Sequence, residues 1–284
     1  MRQEIAFWLV VNDASGDNDA AALADLLASV ETAGFRCQRT THFPSEDMPT
    51  PQQLNVAKAT MITIFAGDGT INAAVRGLSG WDGAILVLPG GTMNLFSKRL
   101  HGSNSAAQII ELIASGRCRT VRPQVIQTSR GVALAELLAG PGTSWAPVRE
   151  AMRDASALEM IETASEAIAQ CLEAPPIHVV DPKLGRENGY HLLAIQPTQS
   201  GLKIAGYYGE SIGDFLRQGA AIVRRRFREG PHDDLGTVGQ VTVLEKRGWP
   251  MGLLLDGQPA DGQGTETFEL TQCVVDLLAT VEVD

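Results

Sequence analysis

Two stretches decide the fold, TMITIFAGDGTINAAVRGL at residues 60–78 and AILVLPGGTMNLFSKRL at residues 84–100. Each contains a short apolar β-rich run, a glycine turn and a helical pattern in immediate succession, which predicts two consecutive strand–turn–helix units. A third turn of this kind, VVNDASGD at residues 10–17, ends the apolar run IAFWLVV and precedes a predicted amphipathic helix at residues 18–33. Strands and helices that alternate from residue 5 to about residue 115 are typical of a parallel sheet.

The pattern changes after Arg117, where short β-like runs are separated by glycine, proline and charged residues. This predicts an antiparallel second domain. Two helical patterns interrupt the runs, at about residues 147–172 and 211–229. We therefore expect an α/β N-terminal domain with a parallel sheet, residues 1–122, and a mainly antiparallel β C-terminal domain with two helices, residues 123–284.

Composition limits the kinds of partner. The 284 residues include 23 Lys and Arg against 33 Asp and Glu, a formal net charge of −10, which argues against nucleic acid as a partner. No apolar run approaches the roughly 18 residues that a membrane span needs. The N-terminus reads as a first strand and not as a signal peptide, so we expect a cytoplasmic protein. The four cysteines are far apart in sequence, which argues against a zinc site or a disulfide framework.

The glycine turns predict a phosphate site. Gly67 and Gly69 let backbone amides approach an anion closely, Thr70 is placed to cap the following helix, and the helix dipole favours negative charge there. Asp68 would repel a phosphate unless a cation or a proton transfer is involved, so it suggests Mg²⁺ handling or activation of a hydroxyl. The alternative is an ordinary Asp-Gly turn with a capping aspartate.

The second glycine turn strengthens this prediction. Parallel strands point their carboxyl ends the same way, so the turns at 66–70 and 89–94 should lie at one sheet edge, where α/β sheets bind ligands. Thr92 and Asn94 add polar side chains there. Neither a P-loop nor a complete dinucleotide fingerprint is present, and no GxSxG elbow suggests a hydrolase.

The combined motifs resemble the catalytic domain of the diacylglycerol kinase superfamily, which includes bacterial lipid kinases and the sphingosine and ceramide kinases. In that family a GGDGT motif is followed by P-x-GT-x-N and preceded by an NPxSG-like turn, and the fold is the one shared with NAD kinases. The specific match covers about residues 5–100, and a weaker match that includes LLLDGQ at 253–258 extends it. The nucleotide-binding residues that the resemblance implies are Asn12, Ser15, Gly16, Gly67, Gly69, Thr70, Asn72, Gly90, Gly91, Thr92, Asn94 and Gly257.

The resemblance also implies a reaction. ATP and Mg²⁺ would be cosubstrates, and the γ-phosphoryl group would pass to a lipid hydroxyl, such as that of diacylglycerol. Asp68 and Asp256 are the carboxylates expected to act in catalysis, and the metal ligands are not identified. Phosphoryl transfer requires mainly positioning and charge neutralisation, which glycine-loop amides, a cation and a carboxylate can supply.

Two positions depart from the family pattern. Gln258 stands where the family usually has the glutamate of a DGE motif, and a glutamine cannot accept a proton at neutral pH. Ser200 stands where the family commonly has an aspartate associated with Mg²⁺. Asp261, Glu266 or Asp68 could compensate. Two rival functions therefore stay open: a catalytically impaired nucleotide- or lipid-binding member of the same fold, and a soluble-substrate kinase of the NAD kinase type.

A basic run at residues 224–228 adds a hypothesis about membranes. The arginines follow apolar residues at helical spacing, so they are either a solvated helix face or a patch that meets anionic lipid. The expected partners are thus a lipid substrate and the inner membrane face, contacted peripherally from the cytoplasm, with a homodimer left open.

Overall fold

The computed structural model describes residues 5–12, 20–91, 93–141, 175–208 and 232–283. It divides the chain into two units, one formed by residues 1–123 and 272–284 and the other by residues 124–271.

Five helices and eighteen strands occur in these described ranges. The helices are α1 Ala20–Thr32, α2 Pro51–Val56, α3 Asp68–Gly77, α4 Leu95–His101 and α5 Ala106–Ala114. The strands begin with β1 Ile5–Val11, β2 Phe35–His42, β3 Met61–Ala66, β4 Ala84–Pro89, β5 Arg119–Val121, β6 Gln124–Thr128, β7 Gly131–Ala133, β8 Leu137–Pro141 and β9 Ile177–Asp181. They continue with β10 Lys183–Leu184, β11 Leu192–Thr198, β12 Gly201–Tyr207, β13 Asp233–Val238, β14 Gln240–Glu245, β15 Met251–Leu255, β16 Gln258–Asp261, β17 Thr265–Gln272 and β18 Asp276–Ala279.

The first unit is an α/β layer structure around a six-stranded sheet with the order β2-β1-β3-β4-β18-β5. All neighbouring pairs are parallel except β18 with β5. The strands β1, β3 and β4 are almost continuously apolar, as expected when helices cover both faces of a sheet. Helices α1 and α5 pack with the sheet in one apolar cluster that includes Leu9, Leu26, Leu86 and Ile110, whereas α3 and α4 contact β3 and β4.

The second unit contains two six-stranded sheets built from antiparallel pairs. Their orders are β10-β9-β14-β17-β6-β7 and β13-β12-β11-β8-β15-β16. One apolar core joins them, since Val243 and Phe268 of the first sheet cluster with Leu137, Ile195 and Leu253 of the second. The predicted α/β and antiparallel fold classes are therefore confirmed. The two helices predicted at 147–172 and 211–229 lie outside the described residues.

The structure divides the end of the chain differently from the expected domains 1–122 and 123–284. Residues 272–284 return to the first unit, because β18 inserts between β4 and β5 and buries Leu277 and Ala279. A strand of four residues gives a weak sequence pattern, and nothing local indicates that its partner is β4, nearly two hundred residues earlier.

Candidate phosphate-binding site

The three predicted turns begin side by side. Strands β1, β3 and β4 are adjacent and parallel, Val11 is in register with Phe65, and Ala66 is in register with Pro89. The carboxyl ends of the three strands therefore lie at the same edge of the sheet. This is where ligands bind in open α/β folds.

The turns after β3 and β4 contact each other through glycines. A Cβ atom on Gly91 would lie 2.5 Å from the Cα atom of Gly67, which is far inside van der Waals contact. Asn94 fixes the second turn, because its Oδ1 accepts the Gly91 N–H at 2.8 Å and its Nδ2 donates to the Gly91 carbonyl at 2.5 Å. Asn94 itself has a left-handed backbone with φ of 52°, a conformation that asparagine tolerates better than most residues.

Helix α3 begins at the first turn without a side-chain cap. Gly67 is its N-cap residue and offers no side-chain acceptor, so the first amides of α3 and the positive end of the helix dipole are directed toward the turns. Thr70 was expected to cap this helix, but it lies inside the first turn. Its Oγ1 accepts a hydrogen bond from Asn12 Nδ2 at 2.9 Å, which ties the end of β1 to α3.

The carboxylate of Asp68 contacts the N-terminus of α4. The side chain is 7% exposed, Oδ2 accepts the Leu95 N–H at 3.0 Å, and Oδ1 accepts the Phe96 N–H at 2.9 Å. Leu95 and Phe96 are the first two residues of α4, whose own N-cap residue Asn94 makes no side-chain cap. Asp68 thus supplies the acceptors that the N-terminus of α4 would otherwise lack.

Burial and hydrogen bonding act in opposite directions on this carboxyl group. Burial raises the pKa of Asp68 above its ordinary value, whereas the two α4 amides and the positive charge of Lys98 favour the ionised form and oppose the rise. Each oxygen that accepts one amide keeps a second lone pair. The catalytic role implied for Asp68 by family resemblance therefore stays a prediction beside its observed structural one.

Lys98 is a cation at this site that sequence reasoning missed. Its Nζ donates to the Met93 carbonyl at 2.6 Å, within the second turn, and its charge acts on Asp68. Its position in the sequence could have indicated that it lies at the site. A residue four places after Asn94 returns to the same side of α4, because four residues make about one helical turn. An exposed ammonium group beside glycine turns can help to neutralise a phosphate.

Asp256 lies in the second unit, at the hairpin between β15 and β16. Asp256 and Gly257 both have positive φ, 50° and 80°, and Leu255 pairs with Gln258, which is typical of a two-residue type I′ turn. The Asp-Gly pair of LLLDGQ therefore forms the turn of this hairpin.

The Asp256 carboxylate binds backbone amides, as Asp68 does. It is 4% exposed, with Oδ2 accepting the Leu134 N–H at 2.7 Å and Oδ1 accepting the N–H groups of Ala135 and Glu136 at 2.7 and 3.0 Å. It holds the segment that leads into β8 against the hairpin. Its implied catalytic role likewise stays a prediction.

The two positions that depart from the family pattern are both exposed. Gln258 is exposed on β16, and Ser200 is exposed in the turn between β11 and β12, with its Oγ 3.2 Å from Thr198 Oγ1. Glu266 is buried and accepts hydrogen bonds from Ser129 Oγ and the Gln263 N–H. Glu266 thus has a structural task, and Asp261 is an exposed residue at the end of β16.

The residues that the structure describes do not form a ligand cluster for a protein-held magnesium ion. Among the described residues no group of three His, Cys, Asp or Glu could hold a metal, and Asp68, the carboxylate for which Mg²⁺ handling was suggested, accepts two backbone amides. Ser15, Gly16 and Thr92 lie outside the described residues, whereas Gly69, Asn72 and Gly90 lie in or beside the described turns.

A known protein family matches the part of the chain that contains these turns. Residues 6–125 match the family model of the diacylglycerol kinase catalytic domain. The matched segment carries all three turns, so this part of the chain is similar to a diacylglycerol kinase catalytic domain. No curated protein matches the sequence significantly.

Solved structures share the whole fold. A candidate diacylglycerol kinase from Bacillus anthracis str. Sterne superposes with a TM-score of 0.63 at 17% identity, covering 100% of both chains. A structure described as a diacylglycerol kinase from the same source gives a TM-score of 0.62 at 16% identity, with 98% of each chain covered. At these identities the likeness establishes the fold alone.

Proposed function

We propose that the protein is an ATP-dependent lipid kinase that transfers the γ-phosphoryl group to the hydroxyl of a membrane lipid such as diacylglycerol. The observation that carries the proposal is the meeting of the end of β1 with the turns after β3 and β4, where the N-terminus of α3, which has no side-chain cap, and Lys98 present positive charge. In the transfer, the bond from the γ-phosphorus to the bridging oxygen breaks, a bond to the lipid oxygen forms, and the hydroxyl proton passes to a base.

The chain's own residues supply positioning. Amides at the start of α3 would bind phosphate oxygens, because the helix dipole and the N–H groups of the first helical turn favour an anion there. Asp68 and Asn94 hold the two glycine turns and α4 in a fixed arrangement, so the site needs little reorganisation on binding. Mg²⁺ would enter with the nucleotide and lower the charge repulsion of its phosphates.

Transfer of labelled γ-phosphate from Mg·ATP tests the proposal. The acceptors are a total lipid extract, a panel of pure lipid alcohols and NAD. Asp68→Asn is the site variant, and Asp82→Asn is its matched control because Asp82 is an exposed carboxylate of the same unit. Label in a lipid, retained by Asp82→Asn and reduced in Asp68→Asn, is the expected result. Label in NAD alone would instead identify a soluble-substrate kinase.

A catalytically impaired binding protein is the second candidate. It is favoured by the commitment of both Asp68 and Asp256 to backbone amides and by the neutral Gln258 on β16. This candidate predicts ATP binding without transfer, and activity that appears when Gln258→Glu is introduced. Turnover by the unaltered chain would exclude it.

A further inference from the structure

The loop Lys246–Pro250, which joins β14 to β15, presents an unusual group of exposed side chains. Trp249 is 54% exposed, although tryptophan is usually largely buried. Lys246 and Arg247 precede it, are exposed, and bring two positive charges to five residues that contain no acid. The Arg247 guanidinium lies 5.1 Å from the centroid of the Trp249 ring, so the cation and the aromatic ring are presented together.

The buried side chain of Glu245 holds the backbone of this loop in place. Glu245 is 1% exposed, and its Oε2 accepts the N–H groups of Arg247 and Trp249 at 2.9 and 2.8 Å. Its other oxygen, Oε1, is buried and accepts no hydrogen bond within the described residues. The two amide contacts of Oε2 hold the loop backbone on both sides of Gly248.

Backbone packing fixes the loop a second time. The Gly248 N–H donates to the Glu245 carbonyl at 3.0 Å, and Gly248 has φ of 75°. A Cβ atom on Gly264 would lie 2.6 Å from the Gly248 carbonyl carbon, so the two backbones are in direct contact. The loop backbone is thus packed against Gly264 at Gly248, the residue directly before Trp249.

We propose that the Lys246–Pro250 loop docks the protein on an anionic lipid bilayer, an inference that rests on the proposed function for its choice of a membrane partner. Tryptophan prefers the boundary between water and hydrocarbon, because its ring is apolar and its N–H is polar. Lysine and arginine beside it are attracted to anionic headgroups. Local cations are needed for this attraction, since the whole chain carries a net charge of −10 and would otherwise be repelled.

Vesicle co-sedimentation with the full chain and no nucleotide tests this surface. The probes are vesicles of phosphatidylcholine alone and of an equimolar mixture with phosphatidylglycerol. We expect binding to the anionic vesicles, weakened about fivefold for each of Lys246→Gln and Arg247→Gln, and roughly tenfold for Trp249→Ala. Binding should also fall as salt is raised. None of these changes removes the backbone amides that Glu245 holds, so the loop should keep its conformation.

Matched variants elsewhere provide the controls. Arg36→Gln with Lys58→Gln removes two exposed cations from the first unit, and Val56→Ala truncates an apolar side chain that is 85% exposed. These controls should bind vesicles as the unaltered chain does. Equal binding by the loop variants and the controls would overturn the proposal, as would an absence of binding to anionic vesicles.

Further outcomes distinguish a membrane-binding loop from a protein interface, and the failure of this inference from the failure of the proposed function. If Trp249→Ala dissociates an oligomer in analytical ultracentrifugation while vesicle binding is unchanged, the loop is a protein interface and the membrane proposal fails. Because vesicle binding is measured without ATP, a chain with no kinase activity can still support the proposal. An active kinase with normal vesicle binding by its loop variants would overturn this inference and leave the proposed function intact.

Discussion

At the scale of single residues, Asp68 stabilises a helix to which it does not belong. It is the first residue of α3, yet both oxygens of its carboxylate accept amides from the start of α4. The sequence indicated that Asp68 lies in a glycine turn at a helix start. It could not identify the partners, which are 27 and 28 residues away and meet Asp68 only after the strands have paired. The same applies to Asp256, whose amide partners lie more than a hundred residues earlier.

This contact predicts that Asp68 is required for stability as well as for the proposed reaction. Asp68→Ala leaves two amides of α4 without an acceptor and should lower the free energy of unfolding by about 1 to 3 kcal/mol. Asp68→Asn keeps one acceptor and should lie between this variant and the unaltered chain. Urea unfolding followed by tryptophan fluorescence measures the difference.

Asp82→Asn is the control for this experiment. As a substitution at an exposed position it should change the unfolding free energy by no more than about 0.5 kcal/mol. If Asp68→Ala unfolds at the same urea concentration as Asp82→Asn, the capping contact contributes nothing. Loss of transfer in Asp68→Asn could then be assigned to chemistry alone.

At the scale of elements, the strand–turn–helix units could be predicted because each combines an apolar run, a glycine turn and a helical pattern within about twenty residues. Helix α1 and strands β3 and β4 lie where the sequence indicates them. The six-residue helix α2 and the four-residue strand β18 were not predicted. Such short elements contain too few residues to show a hydrophobic periodicity. The contact between the glycine turns that precede α3 and α4 was also not predicted, because it depends on how closely β3 and β4 bring these turns together.

Gly91→Ala tests that contact. The new Cβ would meet the Cα of Gly67 at 2.5 Å, and neither atom belongs to a side chain that can rotate away, so the two turns must separate. We expect a loss of about 1 to 3 kcal/mol in the unfolding free energy, together with weaker ATP binding if the turns form the nucleotide site. Chemical denaturation and a fluorescence titration with ATP measure the two effects.

Gly77→Ala is the matched control, since Gly77 lies in α3 without a positive φ, and a Cβ atom added there would meet no atom within 4 Å. There an alanine should stabilise the helix by about 0.5 to 1 kcal/mol. A Gly91→Ala variant that unfolds and binds like the unaltered chain would show that the turns do not depend on their close approach.

At the scale of the whole molecule, the end of the chain completes the first unit. Strand β18 fills the sheet between β4 and β5, and the tail that follows it reaches α4. The Leu100 carbonyl accepts the Thr280 N–H at 3.0 Å, and His101 Nδ1 lies 3.1 Å from Thr280 Oγ1. The alternation of strand and helix patterns in the first part of the chain, and the short β-like runs after it, predicted two domains of the right fold classes. They could not predict that one domain is discontinuous, because the order of strands in a sheet is set by long-range packing.

The buried His101 makes the attachment of this tail sensitive to pH. Its side chain is fully buried, and burial lowers the pKa of His101 to about 4, against an opposing contribution from the Val87 carbonyl. The folded chain therefore binds fewer protons at His101 than the unfolded chain between pH 6.5 and about 4, so stability should fall as the pH is lowered through this window. The full loss is on the order of 3 kcal/mol. His101→Gln removes the titration, and its urea midpoint should fall less steeply from pH 7 to pH 5 than that of the unaltered chain, whatever its stability at pH 7. Parallel pH profiles for the two proteins would contradict this assignment and move the acid sensitivity to another group.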